Sequence, residues 1–466
     1  MINRLQPYPA YKHSGVEWLG EVPEHWEVRR IKTLFRETDE RNGDRRSPLL
    51  SLTRERGIVP QAEASNRIAS VEDLSNYKVC KSGDLIMNRM QAWSGMFAVS
   101  GIEGVISPDY SVFQPKGPID VRYFEALFKT PALVDEFAKR SKGIGSGFNR
   151  LYTPDFGAVP IASPPLHEQT AIVRFLDWAD RRIRRYIHAK QKLIKLLEEY
   201  KQALIHQAVT GKIDVRTGQP YPAYKDSGVP WLGEVPEHWE MVPNRALLKK
   251  RKKLVGSRHS EYQMLSLTKQ GIIVRDLTML KGKFSADLGT SQEVRPGDLV
   301  FCLFDIPETP RTVGLSPYFG MITGAYTIFE PLGRCRGEFI ERFYIAMDDR
   351  KLLAPLYTGL RNTIPPSVFL QTKTPVPPLP EQTAIVEYLD AKTAKIDVAI
   401  AAARREIELL REYRERLIAD VVTGKVDVRE VAAQLPEEPP EDEVDPLTDE
   451  SEETTETLSA DEETEE

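Results

Sequence analysis

Two long stretches of the chain carry apolar residues at the spacing of an α-helix. In the first, steps of mostly three or four positions, or their sum, connect Ile172, Leu176, Ala179, Ile183, Ile187, Ile194, Leu197, Leu204 and Ala208. In the second, the same steps connect Ile385, Leu389, Ile396, Ile400, Ala403, Ile407, Leu410, Leu417 and Val421. This near-heptad spacing is typical of a helix with a narrow apolar face, as in a coiled coil. It predicts two helices of about 42 residues, or roughly 63 Å each at 1.5 Å per residue.

Residues at both ends of these stretches suit helix termini. Pro380 can occupy a first helical turn, where its missing N–H is not needed. Glu168 and Glu381 suit the positive end of a helix dipole. Gly211 and Gly424 supply the left-handed conformation that ends many helices.

The two predicted helices differ in the sign of their net charge. Residues 167–209 include nine basic and five acidic residues, whereas residues 380–422 include seven basic and nine acidic ones. Opposite charge favours pairing of the two helices within one chain over pairing of like with like. If a two-fold axis relates them, the helices lie antiparallel. A homodimeric coiled coil is the alternative.

The sequence between the helical stretches shows strand patterns. The segments "SGDLIMNRM" (82–90) and "PGDLVFCLF" (296–304) each place a Gly-Asp turn before an apolar strand. The segments "GVISPDYSVFQP" (104–115) and "GMITGAYTIFEP" (320–331) alternate apolar and polar residues and end at proline, as strands do.

Short helices and loops follow these strands. Residues 121–140 and 337–356 have the spacing of short amphipathic helices. The loops after them, 142–150 and 358–363, are glycine-rich or polar. The regions outside the long helices are therefore predicted to be mixed α/β (α+β) domains.

An internal repeat organises the whole chain. The segment "YPAYKHSGVEWLGEVPEHWE" from Tyr8 returns as "YPAYKDSGVPWLGEVPEHWE" from Tyr221, with 18 of 20 positions identical. "PPLHEQTAIVRFLDW" from Pro164 returns as "PPLPEQTAIVEYLDA" from Pro377, and "VTGKIDVR" returns as "VTGKVDVR". Each pair is separated by 213 residues, as Tyr8 is from Tyr221. The sequence between these segments diverges, so a tandem duplication with pseudo-two-fold symmetry presents two variable domains on one constant frame.

The charge is unevenly distributed along the 466 residues. Residues 430–466 contain 17 of the 69 acidic residues and no Lys or Arg, so the remainder has 63 basic and 52 acidic residues. We expect the acidic segment to be disordered. The basic remainder suggests a polyanionic partner. No apolar run approaches the roughly 20 residues of a membrane span, and three scattered cysteines without a CxxC pair favour a reducing cytoplasm over disulfides or a zinc site.

Motifs for catalysis are not found in the sequence. There is no Walker A loop, no HExxH and no Asn/Asp-Pro-Pro-aromatic motif for amino-methyl transfer. "PDYSVFQPK" (108–116) resembles a nuclease motif but has Gln114 where a metal-binding carboxylate is needed. His25 and His238 lie beside tryptophans in the repeated segment, which favours packing over catalysis. We therefore expect no catalytic and no metal-binding residues.

The repeated segments resemble the specificity subunit of Type I restriction–modification systems. The resemblance spans residues 8–429 and is carried by "WLGEVPEHWE" twice, "PPLHEQTAIV" with "PPLPEQTAIV", and "TGKIDVR" with "TGKVDVR". It implies a non-catalytic cytoplasmic DNA reader in which two target recognition domains each read half of a bipartite, asymmetric site on double-stranded DNA. A long antiparallel two-helix coiled coil would separate the domains, set the spacing and bind two methyltransferase (modification) subunits.

The resemblance also implies further subunits and a division of the chain. Restriction/translocase subunits would join the complex, and S-adenosylmethionine, ATP and Mg²⁺ would bind to other subunits, not to this chain. The domains would be 1–163 and 213–376 for recognition, 164–212 and 377–429 for the spacer helices, and 430–466 for the acidic tail. The alternatives are a coiled-coil scaffold without base-specific DNA binding and an enzyme active as a single chain.

Candidate DNA contacts lie after the apolar strands and in the late loops, because Arg, Lys, Asn and Gln match the edges of bases. In the first domain they are Asn88, Arg89, Gln91, Lys142, Ser146, Asn149 and Arg150. In the second domain they are Arg311, Thr312, Arg361, Asn362 and Thr363, with Asp305 and Thr309 beside them. The basic run Arg181, Arg182, Arg184 and Arg185 suits the phosphates of the spacer, a solvated helix face or a contact with another subunit. The repeated tryptophan motif suits either packing or docking of the methyltransferase subunits.

Overall fold

The structure is a computed structural model that describes residues 5–43, 47–64, 73–143, 149–275, 288–306, 308–309 and 311–436. The strands of the first repeat are β1 Tyr11–His13, β2 Glu21–Pro23, β3 Glu27–Arg30, β4 Phe35–Thr38, β5 Leu50–Thr53, β6 Gly57–Pro60, β7 Lys78–Cys80, β8 Leu85–Asn88, β9 Phe97–Val99, β10 Gly104–Ile106, β11 Tyr110–Pro115 and β12 Pro160–Ser163. Its helices are α1 Ile31–Leu34, α2 Gln61–Ala64, α3 Val121–Phe128, α4 Pro131–Arg140, α5 Thr153–Gly157 and α6 Leu166–Val209.

The second repeat has the same order of principal elements. Its strands are β13 Tyr224–Asp226, β14 Glu234–Pro236, β15 Glu240–Pro243, β16 Leu248–Arg251, β17 Leu265–Thr268, β18 Gly271–Val274, β19 Gln292–Val294, β20 Leu299–Phe301, β21 Val313–Leu315, β22 Gly320–Ile322, β23 Thr327–Pro331 and β24 Lys373–Val376. Its helices are α7 Gly337–Asp349, α8 Pro366–Gln371, α9 Leu379–Val422 and α10 Arg429–Ala433.

Both repeats contain a four-stranded antiparallel sheet of the same topology. The order is β4-β11-β8-β9 in the first and β16-β23-β20-β21 in the second. The alternating segment 104–115 forms two strands, because the chain turns between β10 and β11 and the two pair with different partners. The segment 320–331 divides in the same way into β22 and β23. The mixed α/β prediction for both domains is confirmed.

The chain forms two compact units, one comprising Met1–Tyr186 with Leu409–Glu466 and the other Ile187–Glu408. The core of the first unit is rich in aromatic side chains, with Phe128, Phe137 and Phe156 in mutual contact. The core of the second unit contains Phe301, Tyr344 and Phe369 in a similar arrangement. Each long helix contributes residues to both units.

The ends of the long helices follow the sequence prediction. Both helices have 44 residues, and Pro380 is the second residue of α9. Gly211 and Gly424 follow the helices with φ angles of 71° and 79°. A Cβ at Gly211 would approach Pro236 to 2.3 Å, and one at Gly424 would approach Pro23 to 2.6 Å. Both the conformation and the space therefore require glycine.

The helices α6 and α9 pair within each unit and run antiparallel. In the first unit Asp180 binds Arg414. In the second unit the ion pairs are Lys190–Glu406 at 2.6 Å, Glu198–Arg404 at 3.0 Å and Lys201–Asp397 at 2.6 Å. The residue number on α9 falls as that on α6 rises, which is the antiparallel order. Pairing of α6 with α9 in one chain is thus confirmed.

The predicted disordered tail begins too early at residue 430. Residues Arg429–Ala433 form α10, and Ala432 and Leu435 are buried. The first part of the acidic segment therefore packs through its apolar side chains, whereas the prediction of disorder was based on its charge. Residues 437–466, the rest of the predicted tail, lie outside the described residues. Over the described part of the chain, no helix has the length and apolar character needed to span a membrane.

Candidate nucleic-acid interface

Each unit brings its strand-end turn next to its late loop. In the first unit, Leu151 donates its N–H to the Arg89 carbonyl at 2.9 Å. In the second, Ile364 donates its N–H to the Leu303 carbonyl at 2.8 Å. The two ends of each late loop also pair through backbone hydrogen bonds, between Lys142 and Arg150 and between Thr358 and Thr363. The turn after the central strand and one end of the late loop are therefore neighbours in each domain.

Two candidate arginines of the first unit lie beside Asp109. Arg89 donates to the Asp109 carbonyl from Nε at 2.6 Å, and its guanidinium lies 3.6 Å from the Asp109 carboxylate. Arg150 lies 3.7 Å from the same carboxylate oxygen. Asn88 is buried at the base of this group and donates to Gln91 Oε1 at 3.0 Å. Asn88 thus shapes the turn, while the two arginines and Gln91 form its surface.

The late loop of the first unit adds further polar groups. Lys142 is exposed and pairs with Asp155 at 2.9 Å, and Asn149 is exposed. Ser146 lies outside the described residues. The loop therefore offers an amide and an ammonium group beside the arginines of the turn.

In the second unit, Arg361 is held against Asp305. Its Nε lies 3.1 Å from the carboxylate, and its guanidinium lies 5.9 Å from the centroid of the Phe304 ring. Asp305 and Asn362 both have positive φ, of 46° and 43°. Such conformations are uncommon outside glycine and mark a constrained loop. Thr363 donates its hydroxyl to the Arg361 carbonyl at 3.3 Å, which further fixes the loop.

Two residues of the second unit that were predicted to contact DNA instead make contacts within the domain. Thr312 has 0% of its surface exposed, and its backbone N–H bonds to Asp348 at 3.0 Å. Arg311 is largely buried in an ion pair with Asp349 at 2.7 Å. Both precede β21 and pack against α7, so this segment belongs to the core side of the domain. The prediction of Thr312 as a surface contact is wrong for this arrangement.

Other surface groups beside these loops were not selected from the sequence. Trp93 is 39% exposed and donates its indole N–H to the Met90 carbonyl at 2.7 Å. Arg54 reaches the Ser94 hydroxyl at 3.1 Å from a different hairpin. Tyr152 follows Arg150 and is exposed. The aromatic residue in "NRMQAW" was the available signal, because basic and aromatic groups together suit nucleic acid.

A second repeated site lies at the N-terminus of each long helix. Glu168, fully buried in the first unit, accepts hydrogen bonds from the Tyr8 hydroxyl, from His25 at 2.8 Å and from Trp26 Nε1 at 2.9 Å. In the second unit, Glu381 accepts the equivalent bonds from the Tyr221 hydroxyl, from His238 at 2.9 Å and from Trp239 Nε1 at 2.8 Å. The repeated motif therefore anchors the helix to its domain.

The electrostatics of this site follow from burial and pairing. Burial of Glu381 alone would raise its pKa, but the hydrogen bonds from Tyr221, His238 and Trp239 outweigh burial and lower it. Burial, together with the nearby carboxylate, raises the pKa of Tyr221 well above its ordinary value. The site is thus a carboxylate held by neutral donors and the histidine. His25 and His238 thus hold the buried glutamates through hydrogen bonds.

The segment that follows each long helix adds an arginine to one of the two buried glutamate sites. In the second unit, Asp214 binds Arg216 at 2.8 Å, and Arg216 lies 3.7 Å from Glu381. In the first unit, the residues after α9 take this place, and Arg429 lies 5.1 Å from the centroid of the Tyr8 ring. The C-terminal end of α9 thus belongs to the frame of the first unit, as the end of α6 belongs to that of the second.

The hairpin before each domain keeps part of its exposed surface. Glu21 and Glu24 are exposed, as are their equivalents Glu234 and Glu237. Two other exposed positions differ between the copies, since His13 corresponds to Asp226 and Glu17 corresponds to Pro230. An exposed acidic pair is therefore common to hairpins β1–β2 and β13–β14.

The chain is similar in sequence to known proteins. Residues 23–196 match the family model described as the Type I restriction modification DNA specificity domain. The chain is 23% identical over 458 residues to the putative type I restriction enzyme MjaX specificity subunit of Methanocaldococcus jannaschii, covering 92% of this chain and 100% of that protein. It is 26% identical over 211 residues to the EcoKI specificity subunit of Escherichia coli K12, covering 42% and 44% respectively.

Solved structures share the fold. A chain from a structure concerned with complex assembly and conformational transition of the type I R-M system has a TM-score of 0.62 and 15% identity, with 86% of this chain and 98% of that chain covered. The HsdS subunit from Thermoanaerobacter tengcongensis has a TM-score of 0.51 and 14% identity, with 87% and 98% covered.

Proposed function

Because the chain belongs to the family of Type I restriction–modification specificity subunits, we propose that it selects the DNA sequence on which a restriction–modification complex acts. Two units of the same topology carry different polar groups on equivalent loops. This pairing of a shared fold with different surfaces is the observation that supports the proposal. A scaffold without base-specific binding is not favoured, because such a scaffold has no need of two diverged loop surfaces.

Each unit reads one half of a bipartite site on double-stranded DNA. In the first unit the reading groups are Arg89, Gln91, Asn149 and Arg150, and in the second they are Arg361 and Asn362. Arginine matches guanine and the amides match adenine in the major groove. Since the two sets differ, the two half-sites differ, and the whole site is asymmetric. The pairing of α6 with α9 sets the distance between the half-sites.

Two methyltransferase subunits bind this chain, one for each copy of the exposed hairpin. The support is the acidic pair Glu21 and Glu24, which recurs as Glu234 and Glu237 although the neighbouring domains have diverged. An acidic pair that recurs in both hairpins suits two copies of one partner with a basic docking face. Restriction/translocase subunits complete the complex, in the cytoplasm.

The catalytic chemistry belongs to the partner subunits. S-adenosylmethionine, ATP and Mg²⁺ bind there, while this chain supplies sequence recognition. The buried glutamate site contributes helix anchoring, since its donors are already committed to structural hydrogen bonds.

The experiment that tests the proposal is selection of binding sites from a random DNA library by this chain together with methyltransferase subunits. The expected product is a site with two unlike defined halves and a spacer of fixed length. Selection of no consensus, with a stable complex present, would favour the scaffold alternative. Methyl transfer by this chain alone would favour the enzyme alternative.

A further inference from the structure

The acidic end of the chain starts beside a row of arginines in the first unit. The buried residue Leu435 accepts a hydrogen bond at its carbonyl from Arg174 of α6 at 2.7 Å. Residues 437–466, which follow immediately, include 16 acidic residues and no Lys or Arg. The described residues therefore end next to the surface of α6, and the acidic segment follows directly in the sequence.

Three further arginines of α6 lie close to this starting point. Arg181 and Arg185 follow Arg174 by seven and eleven residues, which are about two and three helical turns, so they share one side of the helix. They lie roughly 10 and 16 Å along the helix axis from Arg174. Arg182 is exposed beside them, with its guanidinium 5.1 Å from the centroid of the Trp178 ring. We name these four residues the arginine face: Arg174, Arg181, Arg182 and Arg185.

Nearby acidic residues of α6 are committed to other partners. Asp177 pairs with Arg122 at 2.6 Å. Asp180 pairs with Arg184 at 2.8 Å and also binds Arg414. The local carboxylates are therefore engaged beside the arginine face, and the positive potential of exposed Arg182 and Arg185 faces solvent.

The length of the acidic segment is sufficient for intramolecular binding. For the random-coil behaviour that the composition predicts, a chain of 30 residues has a root-mean-square span of roughly 30 Å, which exceeds the distance along α6 to Arg185. Tethering over such a short distance gives an effective concentration on the order of millimolar. Guanidinium–carboxylate hydrogen bonds are among the stronger polar contacts, although salt screens them at exposed sites.

We propose that residues 437–466 bind the arginine face and act as an intramolecular competitor of DNA phosphates. The competition with DNA rests on the proposed function, whereas the contact itself does not. Non-specific DNA binding depends on phosphate contacts, so the acidic segment weakens it. The segment must leave the arginine face before DNA phosphates bind there, so it weakens binding to DNA with and without the cognate site by a similar factor. The acidic segment thereby lowers the overall affinity for DNA and leaves the preference for the cognate site to the base contacts of the recognition loops.

The contact is tested without DNA. A chain ending at Pro436 is titrated against a fluorescent peptide of residues 437–466, and binding is followed by anisotropy at an ionic strength of about 0.15 M, where the screening length is about 8 Å. Arg182→Glu with Arg185→Glu is expected to weaken binding by about tenfold, since two charge-assisted contacts become repulsive. Arg182→Gln with Arg185→Gln, which adds no acidic group, should give a smaller loss in the same direction.

The matched control is Lys192→Glu with Lys195→Glu, which makes the same charge change at exposed positions farther along α6. It is expected to change peptide affinity by less than about twofold, because at this distance salt screens most of the effect. Equal weakening by the control and the arginine variant would overturn the arginine face as the binding site. So would peptide binding that the arginine variant leaves unchanged.

The competition is tested in the complex with methyltransferase subunits. Removal of 437–466 should increase affinity for DNA lacking the site several-fold at about 50 mM salt, with a similar increase at the cognate site. Unchanged affinity for non-site DNA would overturn the competition. Loss of site preference in both the full and the shortened chain would count against the proposed function instead, and the peptide titration would still decide the contact.

Discussion

Trp239 donates its indole N–H to Glu381 at 2.8 Å, although 142 residues separate the two along the chain. Trp26 and Glu168 repeat this contact at 2.9 Å with the same separation. The hydrogen bond joins the opening motif of each repeat to the first turn of the long helix at its end. It therefore closes each domain on the frame and fixes where the helix leaves it.

Replacement of Glu381 by Gln is expected to destabilise the second unit. Glutamine keeps the side-chain shape but loses the negative charge that strengthens the hydrogen bonds from Tyr221, His238 and Trp239, and it turns a donating NH2 group toward one of these partners. The loss is about 2 kcal/mol for a bond to a charged group, or about 4–8 °C in the unfolding midpoint of a unit of this size. Calorimetry measures this, with Glu387→Gln at an exposed position of the same helix as the control. Equal midpoints for the two variants would contradict the anchoring role.

A second buried carboxylate predicts acid sensitivity of the second unit. Burial of Glu293 would raise its pKa, but Lys253, Tyr262 and Arg295 lower it from 4.5 to about 2. Since the folded pKa lies below the ordinary value, Glu293 stabilises the fold above about pH 4.5, and the contribution is lost as the pH falls toward 2. The difference in unfolding midpoint between the native chain and Glu293→Gln should therefore be largest near neutral pH and shrink below pH 4.5. A difference that stays constant from pH 7 to pH 3 would refute this linkage.

The sequence predicted the frame better than the sites. The spacing of apolar residues and the sign of the charges can be read directly from the sequence. They were enough to predict where the long helices begin and end, the glycines that end them, and the pairing of α6 with α9. Glu168 was predicted only as a residue suited to a helix N-terminus, because its partner Tyr8 lies 160 residues away. Thr312 was predicted at the surface because it is polar and follows a strand. Its burial depends on packing against α7, which no local pattern shows.

Replacement of Arg361 by Ala is expected to weaken cognate DNA binding and relax one half-site. An arginine that reads a base contributes about 1–3 kcal/mol of specificity, or about a tenfold change in affinity. The control is Arg334→Ala, since Arg334 is also exposed and ion-paired, to Glu240, but lies away from the recognition loop. Site selection with both variants measures the effect. An unchanged consensus for the Arg361 variant would remove this residue from the reading surface.

Exchange of residues 243–374 for the second recognition domain of another system should change one half-site only. The ends of this segment are neighbours, because Pro243 pairs with Lys373 and Val242 with Thr374 in the ladder of β15 and β24. A foreign domain can therefore join the frame without moving the long helices. Mapping of methylated sites in cells carrying the hybrid gives the answer. Alteration of both half-sites would show that the two domains do not read independently.

Lengthening of the paired helices tests whether they set the distance between half-sites. One added heptad in α6 after Lys195 and another in α9 after Ala401 would face each other, because Lys190 pairs with Glu406 and Lys201 with Asp397 on either side. A heptad keeps the apolar face in register and adds about 10.5 Å at 1.5 Å per residue.

The preferred spacer should then grow by about three base pairs, since B-DNA rises about 3.4 Å per pair. Three pairs also rotate the duplex by roughly 100°, at about 10.5 pairs per turn. Affinity should therefore fall even at the new optimum, to the extent that the added helix and the DNA do not absorb this rotation. Selection from a library with randomised spacer length measures both effects. A stably folded variant that keeps the original spacer would show that another element of the complex sets the distance, because the helices would then have lengthened without moving the half-sites apart.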